Sequence, residues 1–141
     1  MFHFAALLTL LGLLACKAET PASEMVSATA EAVPAGFVAF YERFHADSLY
    51  QVEHIAWPLS GKRLQEGEVA GEAGAGRWTR DTWRVHKRVR PEDGFVLEYE
   101  VMGDDLVTER IAARQGNYEL IRRFARLSDG WQLIYYAESA L

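Results

Sequence analysis

Three histidines and one aspartate are the residues of this chain most suited to moving a proton near neutral pH. They are His45, Asp47, His54 and His86, and histidine is the side chain whose ordinary pKa lies nearest that range. Residues two apart on a helix point about 200° from one another, so His45 and Asp47 cannot share a cavity within one helix. Asp47 and His54 can meet across a turn, which makes them the candidate catalytic acid/base pair. The alternative is that Asp47 caps a helix and that the histidines are exposed.

Metal and cofactor chemistry is not expected from the spacing of the remaining residues. No two of these histidines have the i, i+3 or i, i+4 spacing that places two ligands on one helix face. Cys16 is the single cysteine, so a cysteine cage is excluded. The glycines of residues 61–76 are not followed by Gly-Lys-Ser or Gly-Lys-Thr, so they do not form a phosphate loop. We therefore predict neither a metal nor a cofactor.

Aromatic residues are numerous for a chain of this length, with 4 tryptophans and 6 tyrosines. Their polar groups need hydrogen-bond partners when buried, which makes them suitable for lining a site as well as filling a core. Trp57, Trp83 and Tyr135 are predicted to line a pocket for a small apolar or weakly acidic molecule. The alternative is that they belong to an ordinary core.

Positive charge is concentrated in residues 77–90, which contain six cations and the single acid Asp81. The whole chain nevertheless has a net charge of −5, which argues against nucleic acid as a partner because phosphate binding needs clustered surplus cations. We interpret the basic stretch as a solvated face, with an anion site as the alternative. Arg122, Arg123 and Arg126 are expected on the convex, solvent-facing side of a sheet. One of them in the interior would be a cation for an acidic ligand.

The N-terminus has the pattern of an export signal. Residues 4–15 are a nearly unbroken apolar run that is too short to span a bilayer. Residues 13–16, Leu-Leu-Ala-Cys, resemble the lipobox of bacterial lipoproteins. The resemblance implies that residues 1–15 are a signal peptide and that lipid on Cys16 attaches the protein to a membrane; the alternative is a small residue in an ordinary signal peptide. Lys17 rather than Asp follows Cys16. By resemblance to lipoprotein sorting in bacteria with two membranes, this favours passage of the protein to the outer membrane, facing the periplasm.

The mature chain is expected to consist of a tether and one domain. Residues 16–35 comprise the lipidated cysteine and a flexible tether, since Ala, Glu, Ser, Thr and Pro dominate without an apolar period. Residues 36–141 are predicted to form a single α+β domain. Its first helix is indicated by aromatic residues at i, i+3, i+4 and i+7, namely Phe37, Phe40, Tyr41 and Phe44.

The rest of the domain is predicted to be mainly strands. Alternation from residue 55 indicates a strand that Pro58 would end or confine to a sheet edge. A short hairpin and a mobile loop are expected over residues 61–76, and then a helix that Thr79 caps and that ends before Pro91. Strands are predicted over residues 95–101, 106–113, 118–127 and 131–137, joined by short turns. The architecture is therefore N-terminal helices packed in a curved antiparallel sheet.

In several of these residues the chain resembles an uncharacterised family of bacterial lipoproteins. The domains of that family are similar to the nuclear transport factor 2-like, or cystatin-like, fold. In that fold a curved sheet closes as a cone over an N-terminal helix. The resemblance covers nearly all of residues 36–141 and rests on Phe37, Phe40, Phe44, Asp47, Gln51, Ile55, Pro58, Leu59, Trp83, Arg123, Phe124, Trp131, Tyr135 and Tyr136. The family usually has Phe before the Gln and Arg before the Ile, where this chain has Tyr50 and His54. The resemblance implies a fold and a location in the cell envelope but no activity.

Two classes of function follow. The first is a non-catalytic envelope module that binds a small molecule or contacts a protein, and we prefer it because the chain lacks a nucleophile, a metal cluster and a phosphate loop. The second is a small isomerase-like or dehydratase-like enzyme that uses Asp47 with His54. Val96 and Met102 are expected on the second face of the sheet, which favours a homodimer through that face.

Overall fold

The computed structural model describes residues 33–62 and 75–139. Two helices precede six strands that form one curved sheet. The elements are α1 (Phe37–Ala46), α2 (Ser48–Glu53), β1 (Ile55–Lys62), β2 (Ala75–Trp78), β3 (Phe95–Met102), β4 (Leu106–Ala113), β5 (Glu119–Leu127) and β6 (Gly130–Ser139), with a 3-10 turn at Pro91–Asp93. The predicted signal peptide, Cys16, most of the tether and most of the glycine-rich loop lie outside the described residues. Over the ranges described, no helix is both long and apolar enough to cross a membrane.

The sheet is an antiparallel meander to which β1 is added by one parallel pairing. Its strand order is β2-β1-β6-β5-β4-β3, and β3 to β6 are joined in succession as antiparallel neighbours. This part agrees with the predicted meander to within a few residues at each strand end. β1 lies parallel to β6, a pairing between the two ends of the domain that no local pattern indicates.

The predicted end of β1 at Pro58 is wrong. The strand continues to Lys62 and has neighbours on both sides, β2 and β6. Its register against β6 shifts between Ile55 and Ser60. Pro58 lies inside that irregular stretch, where the ladder does not require the backbone N–H that proline lacks.

The predicted helix after Thr79 is also wrong. Residues 80–82 form a turn and residues 83–90 have no regular secondary structure. We call residues 79–90 the strap. Its partly buried side chains recur every three residues, at Trp83, His86 and Val89, which is the period of an extended polyproline-like segment and not of an α-helix. The strap backbone is held by a side chain of α2, as described below.

The aromatic face of α1 packs on the sheet around Phe124. The ring of Phe124 is fully buried, and its centroid lies 5.5 Å from Phe37, 5.8 Å from Phe40, 5.9 Å from Tyr41 and 5.6 Å from Phe44. This confirms the predicted stripe of α1. The face of the sheet on which α1 lies is called the inner face below, and the opposite one the outer face.

Candidate functional site

A row of polar side chains crosses the inner face of the sheet. Strand register places Tyr99, Glu109, Arg122 and Tyr136 directly beside one another on β3, β4, β5 and β6. We call these four residues the polar row. The neighbouring row towards one end of the strands is apolar and consists of Val101, Val107, Phe124 and Leu133. Charged side chains thus stand at positions whose strand phase belongs to the core.

Glu109 and Arg122 form an ion pair at the centre of the polar row. Arg122 Nε lies 3.6 Å from Glu109 Oε2, and neither side chain is more than 1% exposed. The hydroxyl of Tyr41 on α1 donates a hydrogen bond to Glu109 Oε1, as does the hydroxyl of Tyr99 at 3.1 Å. A buried ion pair recovers its desolvation cost only when such additional bonds are made. The carboxylate therefore joins α1, β3 and β5.

The two phenols are held in their protonated form. Burial, followed by the charge of Glu109, raises the pKa of Tyr99 to about 12. The same two causes, in the same order, raise the pKa of Tyr41 far above its ordinary value. Because a phenolate could not donate to a carboxylate, the protonated form is the one that satisfies Glu109 Oε1.

His45 extends the polar row onto α1. Its Nδ1 lies 2.9 Å from the backbone carbonyl of Tyr41, and its Nε2 contacts a guanidinium nitrogen of Arg122. A carbonyl only accepts, so Nδ1 carries the proton and the lone pair of Nε2 faces the arginine. Burial first, and then the positive charge of Arg122, lowers the pKa of His45 to about 3. His45 is therefore a neutral, half-buried acceptor, and the expectation that it is exposed is wrong.

His86 is a second neutral histidine near this arginine. Its ring lies 4.8 Å from Trp83 and 4.9 Å from Tyr136, between centroids. Burial, and then the charge of Arg122, lowers the pKa of His86 to about 4. The expectation of an exposed side chain is wrong here too, because the strap turns this residue inward.

Gln51 of α2 holds the strap over the inner face. Its Nε2 donates to the backbone carbonyls of Phe44 and His86, each at 2.8 Å, and its Oε1 accepts from His86 N at 2.9 Å and from Trp83 Nε1 at 3.2 Å. The side chain is completely buried. All four of its hydrogen-bonding positions are used, so this one amide joins α1, α2 and the strap.

The side chains of the predicted pair, Asp47 and His54, hydrogen-bond to backbone groups of α2. Asp47 is exposed, and its Oδ1 accepts from the backbone N–H groups of Leu49 at 3.0 Å and Tyr50 at 3.1 Å. This is the helix cap that was the alternative interpretation. His54 Nδ1 lies 2.8 Å from the Tyr50 carbonyl, and its ring stacks on Tyr50 with centroids 3.6 Å apart. The structure gives each residue its own partners in α2 and does not bring the two together.

The three aromatic residues predicted to line a pocket lie on two sides of the sheet. Trp57 and Trp83 meet edge to face, 6.0 Å apart. The indole N–H of Trp57 donates to the Val52 carbonyl at 2.9 Å. Tyr135 is paired in register with Arg123, and the guanidinium carbon lies 5.2 Å from the centre of its ring. Trp57 and Trp83 are thus brought together on the strap side, whereas Tyr135 belongs to the outer face.

Glu109 and the inward position of Arg122 were missed by the sequence reasoning, and the expectation that Arg122 faces solvent is wrong. Arg123 on the outer face agrees with that expectation. Arg126 is exposed and pairs with Asp105 at 3.5 Å, but it shares the inner-face phase of Phe124, so its expected place on the convex side is wrong. A signal for the buried pair was present. Glu109 alternates in phase with Val107 and Ile111, and Arg122 with its own apolar neighbours. Opposite charges in the core phase of adjacent strands predict a buried ion pair.

The outer face of the meander carries an open, charged groove. The groove has a volume of about 490 Å³, and its lining includes the outer-face residues Glu98, Glu100, Thr108, Arg110, Ile121 and Arg123. The apolar side chains Val96 and Met102 are 45% and 57% exposed on the same face. Their predicted exposure is confirmed. As for metals, the described residues contain no group of three His, Cys, Asp or Glu side chains placed to hold one.

Comparison with known proteins shows the fold. No protein-family model and no curated protein matches the chain. Among solved structures it is similar to an NTF2-like protein from Bacteroides fragilis NCTC 9343, with a TM-score of 0.60 and 18% identity over 79% of this chain and 50% of that one. It is also similar to a cystatin-like protein from Bacteroides caccae ATCC 43185, with a TM-score of 0.51 and 16% identity over 72% of this chain and 74% of that one.

This chain spans half the length of the Bacteroides fragilis protein. At such low identities the likeness establishes the fold and nothing about activity. The predicted lipoprotein family stays a prediction. The described domain has an α+β fold of the nuclear transport factor 2-like type, with two helices on a six-stranded curved sheet.

Proposed function

We propose that the protein is a lipid-anchored, non-catalytic module of the cell envelope that works by protein contact through the outer face of its sheet. The observation that carries this proposal is the contrast between the two faces. Within the described residues the inner face is packed with its own side chains, among them Glu109 and Arg122, which are almost completely buried. The outer face has exposed apolar side chains beside an open groove, which is the character of a contact surface.

The partner that the charges favour is a second copy of the chain. β3 presents Glu98 and Glu100 to the outer face, and the following two strands present Arg110 and Arg123. A two-fold axis through the groove would set the acidic strand of one copy over the basic strands of the other. Contacts of this kind give specificity to a surface that is also partly apolar.

The anchor rests on Cys16 and its resemblance to a lipobox. Labelling cells with radioactive palmitate should mark the wild-type protein, and Cys16→Ser should be released in soluble form. An unlabelled wild type would contradict the anchor without affecting the contact proposal. Lys17, which follows Cys16, supports the proposed location in the outer membrane, facing the periplasm.

Binding of a small acidic molecule is the second candidate function. Arg122 is 1% exposed, and its terminal nitrogen Nη2 makes no hydrogen bond within the described part of the chain. Native mass spectrometry of protein purified from its own host should then show a bound small molecule, and a bare protein would contradict this candidate.

An acid/base enzyme that uses Asp47 with His54 is the remaining alternative. Asp47 Oδ1 and His54 Nδ1 each bond to the backbone of α2, so a proton would have to be transferred at Asp47 Oδ2 or at His54 Nε2. Turnover that disappears in Asp47→Asn and in His54→Ala, while the fold is kept, would support it. Turnover that survives both substitutions would contradict it.

A further inference from the structure

The strap is a positive surface on an acidic protein. It carries five cations, Arg80, Arg84, Lys87, Arg88 and Arg90, against the single acid Asp81, whereas the whole chain has a net charge of −5. All six of these side chains are exposed. Arg90 pairs with Glu92 at 3.7 Å, but Arg84 and Lys87 make no ion pair with any described residue. Their charge is directed to solvent.

The backbone of the strap is fixed, so these cations are presented in one arrangement. Gln51 bonds both the N–H and the carbonyl of His86, and Trp83 and Val89 are partly buried on either side of it. The residues between these inward positions are held outward. A surface that is already ordered loses less conformational entropy on binding than a mobile loop would.

An exposed aliphatic side chain accompanies the cations. Val85, between Arg84 and His86, is 50% exposed. Cations beside exposed aliphatic groups are typical of segments that lie on an anionic membrane surface, where charge attraction and shallow insertion act together.

We infer that the strap docks the domain on the anionic lipid headgroups of a membrane, with Arg84 and Lys87 in contact and Val85 at the interface. The inference deepens the proposed envelope anchoring, because it adds a second attachment to the lipid on Cys16. The strap lies on the inner-face side. The ring centroids of Trp83 and Tyr136 are 5.2 Å apart, and the guanidinium carbon of Arg88 lies 5.7 Å from the ring centroid of Tyr41. Docking would therefore leave the outer face free for the second copy.

Vesicle sedimentation of the full chain with Cys16→Ser tests this inference without the lipid anchor. We expect binding to vesicles containing a third of phosphatidylglycerol, little binding to pure phosphatidylcholine, and loss of binding at about 0.5 M salt. Arg84→Gln with Lys87→Gln should weaken partitioning onto the vesicles roughly thirtyfold, because each of the two cations near an anionic surface accounts for about a five- to sixfold gain in binding. Both side chains are exposed and make no ion pair with the described part of the chain, so the fold should survive, and thermal unfolding would verify it.

The matched control is Arg114→Gln with Arg126→Gln, which removes the same charge from exposed positions outside the strap. It should bind vesicles nearly as well as the parent chain. Equal loss in both double variants, or equal binding to both kinds of vesicle, would overturn the inference. So would binding that inorganic phosphate abolishes and chloride of matched ionic strength does not, since that result indicates a phosphate site. Failure of palmitate labelling would leave this assay interpretable, because the assay does not use the lipid.

Discussion

Glu109 and Arg122 stand directly opposite each other on β4 and β5, paired in register, with 3.6 Å between Oε2 and Nε and almost no exposure to solvent. Such a pair costs desolvation energy that a plain apolar core would not. It also connects α1 to the middle of the sheet through Tyr41. The position of the long helix on the sheet therefore depends partly on this pair.

Removing one member of the pair should be more harmful than removing both. Arg122→Met leaves Glu109 as a buried charge without its counter-ion and should lower the free energy of unfolding by about 3–5 kcal/mol. Glu109→Leu together with Arg122→Met should be less destabilised than either single variant. Urea unfolding measures all three, and a single variant within about 1 kcal/mol of the wild type would contradict the described pair.

Gln51 should control the strap more than the rest of the fold. Gln51→Ala removes four hydrogen bonds and leaves buried backbone groups of His86 and Phe44 unsatisfied, at a cost of about 1–3 kcal/mol for each group that water cannot reach. Hydrogen exchange should accelerate at the amide of His86 well beyond the change at β5. Gln115→Ala, at an exposed turn position, is the control and should leave both rates unchanged. Equal acceleration throughout the domain would argue against a local role.

The neutral histidines predict a loss of stability in mild acid. The pKa values of His45 and His86 fall to about 3 and about 4 in the folded state, below the ordinary value of 6.5 that applies on unfolding. The unfolded state therefore binds more protons below pH 6.5, and the stabilisation that is complete above that pH decreases as pH falls towards the folded values. Each histidine should contribute a slope of up to about 1.4 kcal/mol per pH unit within that window.

Urea unfolding at pH 7, 6 and 5 measures this dependence. His45→Gln with His86→Gln should flatten the curve, because glutamine can donate and accept hydrogen bonds but does not titrate in this range. A wild-type stability that is constant from pH 7 to pH 5 would contradict the buried, neutral state of the two side chains.

The sequence predicted those parts of the fold that depend on neighbouring residues. The aromatic spacing from Phe37 to Phe44 determines α1, and the turn residues between the last four strands determine the meander, because both act within a few positions. The parallel pairing of β1 with β6 joins residues far apart in the chain, so Pro58 was misinterpreted. The strap was mistaken for a helix because its conformation depends on Gln51, which is remote in sequence.

The candidate site was predicted less well for the same reason. Asp47 has a local signal, and its capping role was one of the two stated interpretations. The partners of Glu109 come from α1, β3 and β5, so its role appears only once the register of the strands is known. Trp57 and Trp83 do meet, whereas Tyr135 faces the other way because β6 has a register irregularity opposite Arg123 and Phe124.

Contact through the outer face is tested most directly by the molar mass from sedimentation equilibrium at tens of micromolar protein, using the Cys16→Ser chain. We expect a dimer for this parent chain. We expect monomers for Glu98→Lys with Glu100→Lys and for Arg110→Glu with Arg123→Glu, because each variant places like charges opposite one another across the interface. An equimolar mixture of the two variants should restore the dimer, since their reversed charges are complementary. A monomeric parent chain, or variants that both remain dimers, would contradict contact through the outer face.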